Sequence, residues 1–322
     1  MVSKYQELFT KEPTSFPLGL ENLISPSITP EVNEAICQIP FHVEIKETIF
    51  RMYNLKTPGP DGLLALFYKK YWPIVGDSVI FAVQNFFRFG HMLKEVNSSF
   101  IVLIPKNNSP STVNHFRPIS LCNTVYKVIA KILVSRLRPL LDNLVSPCQS
   151  AFIPDRWIVE NQLIVQELLH SFKRRKFKDG FIAVEVDLQK AYDRVNWTFL
   201  KEVLIKFGLH EIFINWIMQC VSTMSFSIIL NGGISKHFLL TCGLRQGDPL
   251  SPYLFILCQE VLSRLIESEY ATKALQGVKM NPSGPAFTHV MYADDLMLFA
   301  KASTREVKIL DVCLEKYCLW SS

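Results

Sequence analysis

The chain has 322 residues, 49% of them hydrophobic and 20% charged, with 34 Lys+Arg against 29 Asp+Glu for a formal net charge of +5. That length and balance predict a globular protein with a sizeable core, and 13 Gly and 18 Pro exclude a collagen-like or linker-dominated chain. The charge permits a polyanionic partner without requiring one.

Residues 1–60 are punctuated by Pro13, Pro17, Pro26, Pro30 and Pro40 between short amphipathic pieces, and end in the loop Lys56-Thr-Pro-Gly-Pro-Asp-Gly62. Helical spacing returns over 63–90. Phe100-Ile-Val-Leu-Ile104 reads as a strand closed by Pro105. Val125, Val128, Ile129, Ile132 and Leu133 predict a helix over 123–141, and a second is expected over 157–172, running into the basic cluster Lys173–Lys178. That cluster suits either a nucleic-acid backbone or a solvated hairpin tip. Phe181–Val186 reads as a buried strand presenting Asp187 at its end. Trp197, Leu200, Leu204 and Phe207 then form a helical stripe, with Asn196 as N-cap and Gly208 as stop. Asn231-Gly232 predicts a hairpin within 226–240. Ser251 as N-cap and Pro252 at N1 open another helix. His289–Tyr292 and Leu296–Phe299 are apolar arms around Ala293-Asp294-Asp295, and Thr304–Leu319 reads as a last amphipathic helix.

No apolar run approaches the ~20 residues needed to cross a bilayer, and the N-terminus lacks a signal-peptide stretch. An intracellular protein without a membrane partner is expected, in nucleus or cytoplasm. The cysteines at 37, 122, 148, 220, 242, 258, 313 and 318 form no Cys-x-x-Cys pair, and the histidines have no zinc-ligand spacing. Buried free thiols are therefore expected rather than a disulfide frame or zinc site.

Two adjacent acids between apolar arms repel each other, and burial adds to the cost unless a cation compensates. Mg²⁺, a hard cation, suits such oxygen ligands. The alternative for Asp294-Asp295 alone is an exposed hairpin tip. Asp187 at another strand end adds a third carboxylate, and carboxylates on neighbouring strand ends suit two metals ~3.5–4 Å apart, the arrangement of phosphoryl transfer. The same spacing alone also fits a nuclease, phosphatase or nucleotide cyclase.

The strings Asp187-Leu-Gln-Lys-Ala-Tyr-Asp193, Leu244-Arg-Gln-Gly-Asp-Pro-Leu-Ser-Pro252 and Tyr292-Ala-Asp-Asp295 resemble, in order, the three palm motifs of reverse transcriptases. Upstream, Lys56–Gly62, Phe116-Arg-Pro-Ile-Ser-Leu121 and Gln149-Ser-Ala-Phe152 resemble elements of the LINE-type, non-LTR retrotransposon branch. The resemblance implies an RNA-directed DNA polymerase that uses two Mg²⁺ ions, with Mn²⁺ as a substitute, to join a dNTP to a primer 3′-hydroxyl. It implies an RNA template, a DNA primer and other polypeptides of the element as partners. It assigns the metals and catalysis to Asp187, Asp294 and Asp295, with the Leu188 carbonyl as an extra metal ligand. It assigns nucleotide binding to Lys106, Arg117, Tyr192, Gln246 and Gly247. Lys106 and Arg117 would clamp the triphosphate, Tyr192 would exclude a ribose 2′-hydroxyl, and Gln246-Gly247 would lie against the nascent base pair. Taken alone, Lys106 and Arg117 read as surface charges, Tyr192 as a core aromatic and Gly-Asp-Pro as a turn.

The implied fold is α+β: right-hand fingers and palm, an antiparallel palm sheet backed by helices, and no thumb. The implied division is an N-terminal extension (1–55), a fingers-like region (56–180) and an incomplete palm-like region (181–322). Three positions depart from the family's pattern: Asp155 where Gly is usual, Glu185 where Lys is usual and Cys242 where Arg is usual. With the early stop after Asp295, they keep open an inactive remnant that at most binds nucleic acid or a partner. A metal-dependent hydrolase fits the acids but leaves Gln246-Gly247 unexplained.

Overall fold

The computed structural model describes residues 19–174, 180–281 and 283–321, so the expectations for residues 1–18 and for most of the Lys173–Lys178 cluster lie outside the described residues. In chain order the strands are β1 (Ser98–Pro105), β2 (Phe116–Cys122), β3 (Phe181–Asp187), β4 (Ser225–Leu230), β5 (Gly233–Ile234), β6 (Phe238–Leu239), β7 (Val278–Lys279), β8 (Ala286–Phe287), β9 (His289–Tyr292) and β10 (Asp295–Lys301). One sheet runs β2-β1-β4-β5 with β6 also on β4. A second, antiparallel, runs β3-β10-β9, and β7-β8 is a separate pair.

The helices follow from local chemistry. Thr29 caps Pro30–Ile36, its side chain accepting from the Val32 amide, and Asn196 caps Trp197–Lys206 through the Thr198 and Phe199 amides. Gly208 lies past the end of the latter helix at φ 87, a left-handed conformation that glycine adopts without a Cβ penalty. Asn231 and Gly232, at φ 49 and 80, turn β4 into β5. The helix expected after Pro252 is Ser251–Ala271, but Ser251 is its first residue rather than its N-cap. Leu250 takes the cap position, and Asp248 Oδ1 accepts the Leu250 amide instead.

The main core joins the helices Trp72–Phe89, Thr124–Leu137, Trp197–Lys206, Glu211–Ser222 and Ser251–Ala271 to the larger sheet. In the β3-β10-β9 sheet the central strand β10 is covered on both faces. Leu296, Leu298 and Ala300 of β10 enter the main core, while Phe299 and Met297 pack with Leu168 and Val165 of the helix Ile158–Arg174. A central strand apolar on both faces is the expected result. β3, by contrast, was expected to be buried and is not. It is the edge strand, and Val184, Glu185 and Asp187 are exposed. A strand at a sheet edge has a neighbour on one side only, which leaves its C-terminal half, Val184, Glu185 and Asp187, to water. No disulfide joins the eight cysteines, which all lie among the described residues, and five of them are buried.

Candidate active site

Register decides whether the acids meet. β10 pairs with β3 so that Asp295 is opposite Asp187, Leu296 opposite Val186 and Met297 opposite Glu185. β9 joins β10 through Ala293-Asp294, with Ala293 at φ 53. The fold thus brings Asp187, Asp294 and Asp295 to one end of one sheet, and all three are exposed. Burial, then Asp294, Asp187 and Glu185, push the Asp295 carboxyl above its ordinary range. A crowd of hard oxygen donors that repel one another is what a divalent cation would relieve, so these residues fit the metal implied by the sequence.

The turn that carries Asp294 is strapped from outside. Met291 N–H donates to the Cys148 carbonyl (2.8 Å) and Ser150 N–H to the Met291 carbonyl (3.2 Å), a short parallel bridge. Gln149 Oε1 accepts from Ala293 N–H (3.0 Å). Asn161, from the helix beneath, donates to the Met291 and Cys148 carbonyls.

Past Asp187, Lys190 at φ 55 turns the chain into the short helix Ala191–Arg194. Leu188 is half-buried against the main core. The Tyr192 ring stacks on Phe255, centroids 4.4 Å apart, and burial together with Asp294 pushes its hydroxyl well above the ordinary tyrosine range. Gly243 and Leu244 donate to the Val195 and Tyr192 carbonyls (2.8 and 2.7 Å), fastening the Leu244–Pro252 loop beside this turn. Gln246 donates through Nε2 to Asp193 (2.9 Å), and its carbonyl accepts from Ser120 of β2 (2.8 Å). Gly247 sits at φ 97, where a Cβ would lie 3.3 Å from the Ser120 carbonyl oxygen.

Lys106 and Arg117 are exposed on the β1–β2 hairpin, where Ile104 faces Arg117 and Lys106 N–H donates to the His115 carbonyl. Asp193 links the two regions electrostatically. Burial raises its carboxyl to about 6, against the pull of Gln246, Lys190 and Lys106.

The support for this loop is not visible in the sequence. Arg245, 3% exposed, pairs with Asp248 (3.0 Å), donates to Ser99, Asn97 and the Cys220 carbonyl, and lies 3.9 Å over the Tyr126 ring. The Tyr126 hydroxyl donates to the same Asp248 carboxylate. Arg245 and Asp248 lie inside the Leu244–Pro252 string, but nothing in a linear string marks a charge as buried. Nor did spacing reveal that Cys148, Glu267 and His289 bring ligand-type atoms within 4.8 Å. His289, fully buried, has each ring nitrogen hydrogen-bonded to a hydroxyl, Ser263 (2.8 Å) and Thr288 (2.9 Å), and burial lowers its pKa to about 4. That is the environment of a neutral, satisfied core histidine.

Of the three departures, Asp155 lies at φ 60, a conformation in which the usual glycine carries no Cβ strain. Glu185 is exposed on the strand that ends in Asp187. The Cys242 thiol, buried, lies 3.8 Å from the Asp193 carbonyl.

The chain belongs to the reverse transcriptase (RNA-dependent DNA polymerase) family, whose model matches residues 104–320. It is similar to the uncharacterized 149 kDa protein of transposon TX1 from Xenopus laevis, 27% identical over 99% of this chain and 24% of that protein. It is also similar to the Pol polyprotein of the type-2 retrotransposable element R2DM from Drosophila melanogaster, 29% identical over 80% of this chain and 23% of that one. The chain spans about a quarter of the length of these relatives. Apo telomerase from Candida tropicalis, truncated from its C-terminal domain, superposes with a TM-score of 0.47 at 14% identity, over 72% of this chain and 49% of that one. The mixed helix-and-sheet fold is that of a reverse transcriptase domain. No helix among the described residues is long and apolar enough to cross a membrane.

Proposed function

We propose that the chain carries the nucleotidyl-transfer site of an RNA-directed DNA polymerase of a non-LTR retrotransposon. The observation that carries this reading is the β3–β10 register, which sets Asp187 beside Asp295 at the turn holding Asp294. Asp187, Asp294 and Asp295 hold two Mg²⁺ ions in this reading, or Mn²⁺ in their place, with the Leu188 carbonyl as a further ligand. When bound, the metals supply Lewis acidity at the primer 3′-hydroxyl and offset the triphosphate's charge.

The remaining roles belong to the chain itself. Lys106 and Arg117 bind the triphosphate of an incoming dNTP from the hairpin side, Arg117 through the planar fork that suits phosphate. Tyr192, stacked rigidly on Phe255 and within the field of Asp294, excludes a ribose 2′-hydroxyl. Gln246 and Gly247 lie against the nascent pair, Gly247 permitting close approach of backbone. RNA template, DNA primer and other polypeptides of the element are the proposed partners.

Glu185 favours a second reading, an inactive remnant, because it adds a carboxylate to a site already crowded with them. Primer extension on an RNA template with Mg²⁺ and four dNTPs separates the two readings, with Asp294→Ala/Asp295→Ala as control. Extension by the parent alone is expected. Folded parent protein that binds the template but adds no nucleotide would leave the remnant reading in place.

A further inference from the structure

We propose that Gln149 is a positioning residue for the catalytic turn, acting through its side-chain carbonyl on the Ala293 amide; this rests on the polymerase reading above. Ala293 is neither Gly nor Asn, yet it takes φ 53, a left-handed conformation that strains any residue carrying a Cβ. Something outside the hairpin must hold it there. Gln149 Oε1 accepts from Ala293 N–H at 3.0 Å and from Ala151 N–H at 2.9 Å, so one buried oxygen ties the turn to the strap. Gln149 is 1% exposed, which keeps water from competing for either amide.

The strap is itself anchored. Arg156 donates to the Gln149 and Val145 carbonyls (2.8 and 2.9 Å) and pairs with Asp142 (3.0 Å). Asn161 donates to the Ser150 hydroxyl (2.9 Å) and to the Met291 carbonyl (3.0 Å). The Gln149 amide thus works from a fixed base and acts on Ala293, one residue from Asp294 and two from Asp295. Only its oxygen is engaged, since Nε2 has no hydrogen-bond partner among the described residues. This asymmetry gives the proposal its test. An acceptor at this position should suffice, and the amide nitrogen should be dispensable.

The variants are Gln149→Met, which keeps length without an acceptor, and Gln149→Glu, which keeps the acceptor without the amide nitrogen. Two measurements on the full chain are made side by side: Mn²⁺ titration by electron paramagnetic resonance, and hydrogen exchange of the segment containing Ala293. Gln149→Met is expected to weaken Mn²⁺ binding roughly tenfold, as loss of a group supporting a metal ligand does. The same variant is expected to speed exchange of the Ala293 amide roughly five- to tenfold. Gln149→Glu is expected to retain slow exchange and to bind Mn²⁺ within about threefold of the parent. Unchanged exchange in Gln149→Met, or equal damage in both variants, overturns the proposal. A parent that binds no Mn²⁺ sinks the two-metal reading instead, while exchange still reports whether Gln149 holds the turn.

Discussion

Asp193 shows how the site's electrostatics reach into the fold. Its side chain is 3% exposed and accepts from Gln246, and burial raises its pKa from 3.8 to about 6. A carboxyl whose folded value is raised stabilises the fold fully below its unfolded value, near 4. That contribution is lost as pH rises through about 6. At pH 7 the buried charge costs on the order of 2 kcal/mol. Asn at 193 keeps an acceptor for Gln246 and removes the charge. Asp193→Asn is therefore expected to raise stability at pH 7 by on the order of 2 kcal/mol and to flatten its slope between pH 4 and 6. Urea unfolding at several pH values checks both. Equal stability of parent and variant across that range would mean that Lys190, Lys106 and Arg194 compensate the charge in full. Asp295 is shifted in the same direction, by partial burial and by its neighbours Asp294, Asp187 and Glu185, but at an exposed position open to a cation.

At the scale of elements, the Leu244–Pro252 loop is held from two sides. The Arg245–Asp248–Tyr126 network fixes it from within, and the Ser120–Gln246 hydrogen bond ties it to β2. Gly247 is the position with least latitude, since it combines φ 97 with a close backbone neighbour. Gly247→Ala is expected to cost about 1–3 kcal/mol in chemical denaturation and to impair dNTP binding more than metal binding. A variant as stable as the parent would show that the loop relaxes freely. Much at this scale was legible in the chain. Asn196, Gly208 and Asn231-Gly232 act through local backbone chemistry, and the structure has each as expected. The exposure of β3 was not legible, because an apolar run does not say whether a strand lies at an edge. Ser251 is the first helical residue rather than the cap, because the helix already starts at the Leu250 carbonyl, which accepts the Tyr253 and Leu254 amides. The three acids could be named from the string. Their juxtaposition depends on a pairing between strands more than a hundred residues apart, and only the register settles that Asp295 faces Asp187.

On the scale of the molecule, the candidate site draws on three parts of the fold. The β1–β2 hairpin brings Lys106 and Arg117, the β3-β10-β9 sheet brings the carboxylates, and the Leu244–Pro252 loop joins the two through Ser120 and Asp193. Gln149 and Arg245, the residues that hold the turn and the loop in place, are buried. The chain's membership of the reverse transcriptase family rests on a match from residue 104 to 320, which takes in Lys106, Arg117, the three acids and the Leu244–Pro252 loop. The central claim is that Asp187 and the Asp294-Asp295 turn act as one site. Single-nucleotide incorporation on a primed RNA template, comparing the parent with Asp187→Asn, tests it most directly. The expected result is a loss of about a thousandfold or more in rate, several kcal/mol of barrier, with the fold and template binding retained. Incorporation by Asp187→Asn at a rate close to the parent's would contradict it.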